Sequence, residues 1–172
     1  MANPTMTLIA SNTVGSGGAS SVTFSSIPQT GYTDLVIKYS SRTSDAAPDV
    51  EVPIRFNSDS ASNYQYKFVY GNSNAAYSYG DTRTNSYVRA SGATATANTF
   101  ASGEIYIPNY TSSNAKSLSI DTVEENNSSS AGSAYQVLNA TLWTGTSSIT
   151  SVSLLANFVQ YSTFYLYGIS NS

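Results

Sequence analysis

"KSLSIDTV", residues 116–123, alternates apolar and polar side chains with a period of two. Successive side chains of a strand point to opposite faces, so Leu118, Ile120 and Thr122 share one face, and Ser117, Ser119 and Asp121 share the other. A helix would scatter the same residues around its axis. The same pattern recurs along the chain, and it decides the fold class. "DLVIKYS" (34–40) sets Leu35, Ile37 and Tyr39 against Val36 and Lys38. "VEVPIRF" (50–56) places Val50, Val52, Ile54 and Phe56 on one side and Glu51 and Arg55 on the other. "YQYKFVYG" (64–71) aligns Tyr64, Tyr66, Phe68 and Tyr70.

Six further stretches read as strands: "TMTLIA" (5–10), "SSVTFSSIP" (20–28), "FASGEIYIP" (100–108), "AYQVLNATLW" (134–143), "SITSVSLL" (148–155) and "FVQYSTFYLYGI" (158–169). Pro28 and Pro108 stop two of them. Pro53 has no backbone N–H, so its strand is expected at a sheet edge or at a bulge. Turn-rich segments lie between: "GSGGASS", "TSDAAPD", "NSDSASN", "GNSNAAYSYGD" and "ENNSSSAGS". No segment sustains a 3.6-residue apolar period flanked by caps. About ten short antiparallel strands with little or no helix predict a single β-sandwich domain over 1–172, jelly-roll-like in style.

Composition narrows the function. Only 10% of the 172 residues are charged, the net charge is −3, and Lys plus Arg number 7. Without a basic run, an electrostatic nucleic-acid footprint is not expected. No apolar run approaches the roughly 20 residues that span a bilayer, so no membrane partner is expected. "MANPTMTLIASNTVG" carries neither a basic region nor a long apolar run, so no signal peptide is expected. His and Cys are both absent. That removes the commonest general base, the Ser-His-Asp and Cys-His arrangements, and the commonest transition-metal ligands.

Carboxylates are what remains for acid–base work. Asp45, Asp49 and Glu51 cluster, as do Asp121, Glu124 and Glu125. A glycosidase-like pair needs two carboxyls facing across a cleft. Asp121 points outward on its strand, and Glu124 and Glu125 open a Ser/Asn-rich loop, so a solvated face is the favoured reading. "NSDSASN" offers Asn57, Asp59 and Asn63 at calcium-loop spacing, but the glycine is missing and Phe68 stands where the bidentate Glu belongs. Turn chemistry is favoured there. No catalytic, cofactor or metal site is expected.

Aromatic residues carry the interaction argument, with 14 Tyr and 6 Phe. A tyrosine pairs a flat apolar face with a polar tip and suits sugars and protein interfaces. Tyr77 and Tyr79 read as loop residues, with Tyr87 beyond them. The three form a candidate exposed binding surface for a host-surface glycan within 71–97, with loop anchoring as the rival reading. In "FVQYSTFYLYGI", Phe164 and Leu166 read as core. Tyr161, Tyr165 and Tyr167 read as a candidate interface, because an apolar strand with a bare face invites aggregation.

"TLIASNTVGSGGASSVTFSSIP" (7–28) followed by "YTDL" (32–35) resembles the opening of a group of small structural proteins encoded by tailed bacteriophages, those of marine and cyanobacterial hosts in particular. "EIYIPNY" (104–110), "KSLSIDTVEEN" (116–126) and "NFVQYSTFYLYGI" (157–169) resemble that group's middle and end. The likeness is weakest at 44–97. It rests on strands and turns and carries no functional residues across. It implies a non-enzymatic virion component, made in the host cytoplasm. A decoration or cement protein bound to the capsid, oligomeric and most simply a trimer, is the first expectation. A tail or fibre component is the second.

Overall fold

The computed structural model describes residues 5–72, 75–124 and 136–170. Twelve strands form, and no helix occurs among the described residues. They are β1 (Met6–Thr13), β2 (Val22–Phe24), β3 (Asp34–Ser41), β4 (Asp49–Phe56), β5 (Tyr64–Asn72), β6 (Ala75–Arg83), β7 (Ser86–Ser91), β8 (Ala101–Ile107), β9 (Lys116–Val123), β10 (Gln136–Trp143), β11 (Val152–Leu154) and β12 (Thr163–Ile169). One antiparallel sheet has eight strands in the order β1-β12-β3-β8-β9-β10-β5-β6, and the other has four in the order β2-β11-β4-β7. The expectation of a β-sandwich holds, with twelve strands split eight and four where a jelly roll has eight. The two strands beyond the expected ten are β6 and β7. β6 falls largely in the stretch read as loop, where Gly, Asn and Ser mask the alternation, and β7 follows it in a segment to which no strand is assigned from sequence.

One apolar cluster lies between the sheets. Leu35, Ile37, Ile105, Leu118, Ile120 and Phe164 supply it from the large sheet, and Val52, Ile54, Phe56, Val152 and Leu154 from the small one. The expected inward faces of β3, β4, β5 and β9 are the faces found. The aromatic C-terminal stretch is locked in place. β12 sits between β1 and β3, its Phe164 and Leu166 are buried, and Phe164 meets Phe158 edge-on at 4.9 Å and stacks on Tyr39. Gly168 is required there, since a Cβ would lie 2.4 Å from the Tyr32 ring.

Pro53 corrects one expectation. β4 is interior, paired with β11 and β7. The Pro53 carbonyl accepts from Leu155, just past the end of three-residue β11. A strand residue's N and C=O point the same way, so the missing N–H faces the side where β11 has already stopped.

Candidate functional site

The free edge of β7 leans on the inner face of the large sheet, and it is capped. Along it the carbonyl of Tyr87 accepts from Asn139 Nδ2, that of Arg89 from Tyr39 Oη, and that of Ser91 from the Thr43 N–H at 2.8 Å. Gly103 opens the way for Tyr39, whose hydroxyl also meets Thr122 Oγ1 at 2.8 Å; a Cβ on Gly103 would lie 2.5 Å from that hydroxyl. Burial raises the Tyr39 phenol well above the ordinary tyrosine range, so it stays protonated.

These caps explain β10. Its inward residues are Val137, Asn139, Thr141 and Trp143, while Leu138, Ala140 and Leu142 face out. Hydrophobicity alone favours the opposite register. Asn139 caps Tyr87, Thr141 meets Ser86 Oγ at 2.7 Å, and Trp143 packs on Phe56 and Tyr64 while donating to Asp59 Oδ2 at 2.7 Å. A strand that slips by one residue flips every side chain, so these partners hold the leucines outside.

The outer face of the large sheet is consequently bare and partly apolar. Leu138 is 62% exposed and Val69, its directly paired neighbour, 52%. Leu8, Leu142, Val123 and Tyr106 share that exposure. Across β9, β10, β5 and β6 the face is concave, with a volume of about 1280 Å³. Tyr165 and Tyr167 lie half-buried on the same face at β12, paired across to Lys38 and Val36. Tyr161 precedes the strand, 68% exposed with a φ of 72°. It is therefore separate from the other two.

The candidate glycan surface is changed more. Tyr77 and Tyr79 sit on strand β6, where a loop was expected, and both are about half exposed. Tyr77 stacks on Tyr70 at 5.0 Å, and Tyr79 packs on Phe68 and Tyr66. Tyr87 is buried at 1% exposure, so its place on an exposed surface is corrected. It enters from β7 and meets Tyr66 and Phe68 edge-on at 5.3 and 5.7 Å, under the guanidinium of Arg83. Burial raises its phenol above the ordinary range.

Glu124 is the other correction. Expected in a solvated loop, it is 1% exposed, and both carboxyl oxygens lack a hydrogen-bond partner among the described residues. Register explains the burial: Ser102 pairs with Val123, so Glu124 follows Thr122 on the inner face, beside Ala101. Nearby Ser41, Thr43 and Ser91 also keep unpartnered, buried hydroxyls. Burial first, then the charge of Asp49, pushes the Glu124 carboxyl up to about 8, with Arg89 and Arg42 pulling the other way. Glu125 lies outside the described residues.

The remaining carboxylates serve structure. Asp49 pairs with Arg89, Glu51 with Arg83 at 3.1 Å, and Asp121 faces outward as expected. Asp59 accepts from Asn63 Nδ2, Trp143 and the Ala61 N–H, and Asn57 Oδ1 accepts from Thr150 and Ser151. Turn chemistry occupies the oxygens that a calcium reading would need. No group of three acidic residues that could hold a metal occurs among the described residues, and no helix among them is long and apolar enough to cross a membrane. No protein-family description, no curated protein and no solved structure matches the chain.

Proposed function

We propose that this chain is a non-enzymatic virion structural protein of a tailed bacteriophage, a decoration or cement protein that docks on the capsid shell. The bare outer face of the eight-stranded sheet carries this reading. A domain that spends Asn139 and Thr141 on the inside and leaves Leu138, Leu142 and Val69 outside presents a surface suited to a partner protein. The sequence likeness to phage structural proteins supports the choice of partner.

Co-sedimentation with isolated capsids tests the proposal. The wild-type chain attaches in hundreds of copies, and Leu138→Asp with Val69→Asp stays folded but detaches. A handful of copies per virion, or attachment unaffected by the double substitution, overturns it. A second reading, a tail or fibre component that grips host-surface glycan, draws on the Tyr70–Tyr77 stack and Tyr79. Glycan binding that disappears in Tyr77→Ala/Tyr79→Ala, with low copy number, favours that alternative.

A further inference from the structure

We infer that β6 pairs antiparallel with β6 of a second copy of this chain, joining two eight-stranded sheets edge to edge. This interface is independent of the shell-docking reading and uses a different surface. A two-fold contact also differs from the trimer expected from sequence, whose interfaces are head-to-tail.

The first observation is the edge itself. β6 ends the large sheet and pairs with β5 without interruption from Tyr64↔Arg83 to Asn72↔Ala75. Long straight edges are normally blunted by bulges, shortness or capping. β1, at the opposite end, has a register break between Leu8 and Ala10; β2 has three residues; β7 is capped. β6 is nine residues long with no register break, and among the described residues its one edge cap is local: the Thr82 N–H meets the carboxylate of its own neighbour Asp81.

The second observation is the phase of its backbone. The Thr82 N–H donates to Asp81 Oδ1 at 2.8 Å, so it points away from β5. Alternation then turns the N–H and C=O of Ser78, Gly80 and Thr82 to the free side, and those of Tyr77, Tyr79 and Asp81 toward β5. A two-fold axis at Gly80 puts Gly80 opposite Gly80 and Ser78 opposite Thr82 as narrow hydrogen-bonded pairs, about six backbone hydrogen bonds in all. Asp81 releases the Thr82 N–H to the Ser78 carbonyl of the other copy.

The third observation is side-chain complementarity in that same register. The wide pairs become Tyr79 opposite Asp81 and Tyr77 opposite Arg83, each occurring twice by symmetry. The first sets a phenol against a carboxylate; Tyr79 already reaches Asp81 of its own chain at 3.4 Å. The second sets a guanidinium against a half-exposed ring, as Arg83 already does with Tyr66 at 5.1 Å. No like charges meet. Gly80 presents no side chain at the axis, and a Cβ there would sit tightly, 3.0 Å from the Tyr66 carbonyl oxygen. Tyr77 and Tyr79 of both copies then form one continuous aromatic ribbon.

The test is light scattering of the full chain across a concentration series. The expected result is twice the chain mass at high concentration. Ser78→Pro removes one outward N–H and costs β5 nothing, so it should weaken dimerisation at least tenfold while melting as the wild type does at concentrations low enough for both to be monomeric. Tyr79→Asp places carboxylates opposite each other and should act likewise even if the proline variant misfolds. Adding Asp81→Lys to Tyr79→Asp should restore the dimer, since the register then pairs Asp with Lys. A wild-type chain that stays monomeric throughout, variants that dimerise like the wild type, or a double variant without recovery overturns the inference.

Discussion

β7 and β6 each end a sheet, and rings from both pack on Phe68. On β7, the outward carbonyls of Tyr87, Arg89 and Ser91 all find donors, supplied by Asn139, Tyr39 and Thr43. On β6, the outward groups of Ser78 and Gly80 face away from the rest of the domain. The capped edge is built into the core at the expense of polar residues there. The uncapped edge is kept straight, charge-balanced and aromatic. This contrast between a closed edge and a longer open one is the ground for the proposed pairing of β6 with a second copy.

The comparison breaks most severely at Trp143, which holds the register that aims Asn139 at β7. Trp143→Ala should lower the unfolding free energy by about 3–5 kcal/mol, read by urea denaturation. An effect below about 1 kcal/mol would mean that another contact holds β10.

Glu124, buried near the β7 end, gives a pH signature. Its folded pKa of about 8 lies above the unfolded value, so the native state binds the proton more tightly. Stability is full below an unfolded carboxyl value of about 4.5 and falls as pH rises toward 8. Glu124→Gln keeps the shape without the charge. It should flatten this slope and raise stability at pH 7 on the order of 2–3 kcal/mol. Melting temperatures that climb between pH 5 and 8 in the wild type would contradict the burial.

The caps come next. Asn139→Ala and Tyr39→Phe each leave a β7 carbonyl without its partner and should cost about 1–3 kcal/mol. Equivalent damage to the free side of β6 is the smallest effect: Ser78→Pro should change monomer stability by no more than about 0.5 kcal/mol. Chemical denaturation at low protein concentration measures both, and equal losses would erase the distinction between the edges.

The sequence made much of the core legible, because β3, β4, β5 and β9 each bury the face that their alternation marks as apolar. β10 was not, because its inner face is set by what β7 needs, a long-range demand invisible in "QVLNATLW"; its one signal is the lone Trp143, whose bulk and N–H both require the interior. β6 and β7 were hidden by Gly, Asn and Ser that read as turn chemistry. Tyr77 and Tyr79 were legible as exposed aromatics, since both have polar or small flanking residues. Tyr87 was not, because its burial comes from Tyr66 and Phe68, far away in the chain. The Ser/Asn neighbours of Glu124 suggest a solvated loop, although the inward phase of Leu118, Ile120 and Thr122 points it inside.

Amide hydrogen exchange read residue by residue by NMR at two protein concentrations tests the open edge most directly. The N–H groups of Tyr77 and Tyr79 bond to β5 and should stay protected at both. Those of Ser78 and Gly80 should exchange slowly in concentrated solution and at open-chain rates once dilution separates the copies. Open-chain exchange of Ser78 and Gly80 at both concentrations would show that no second copy pairs with the free side of β6.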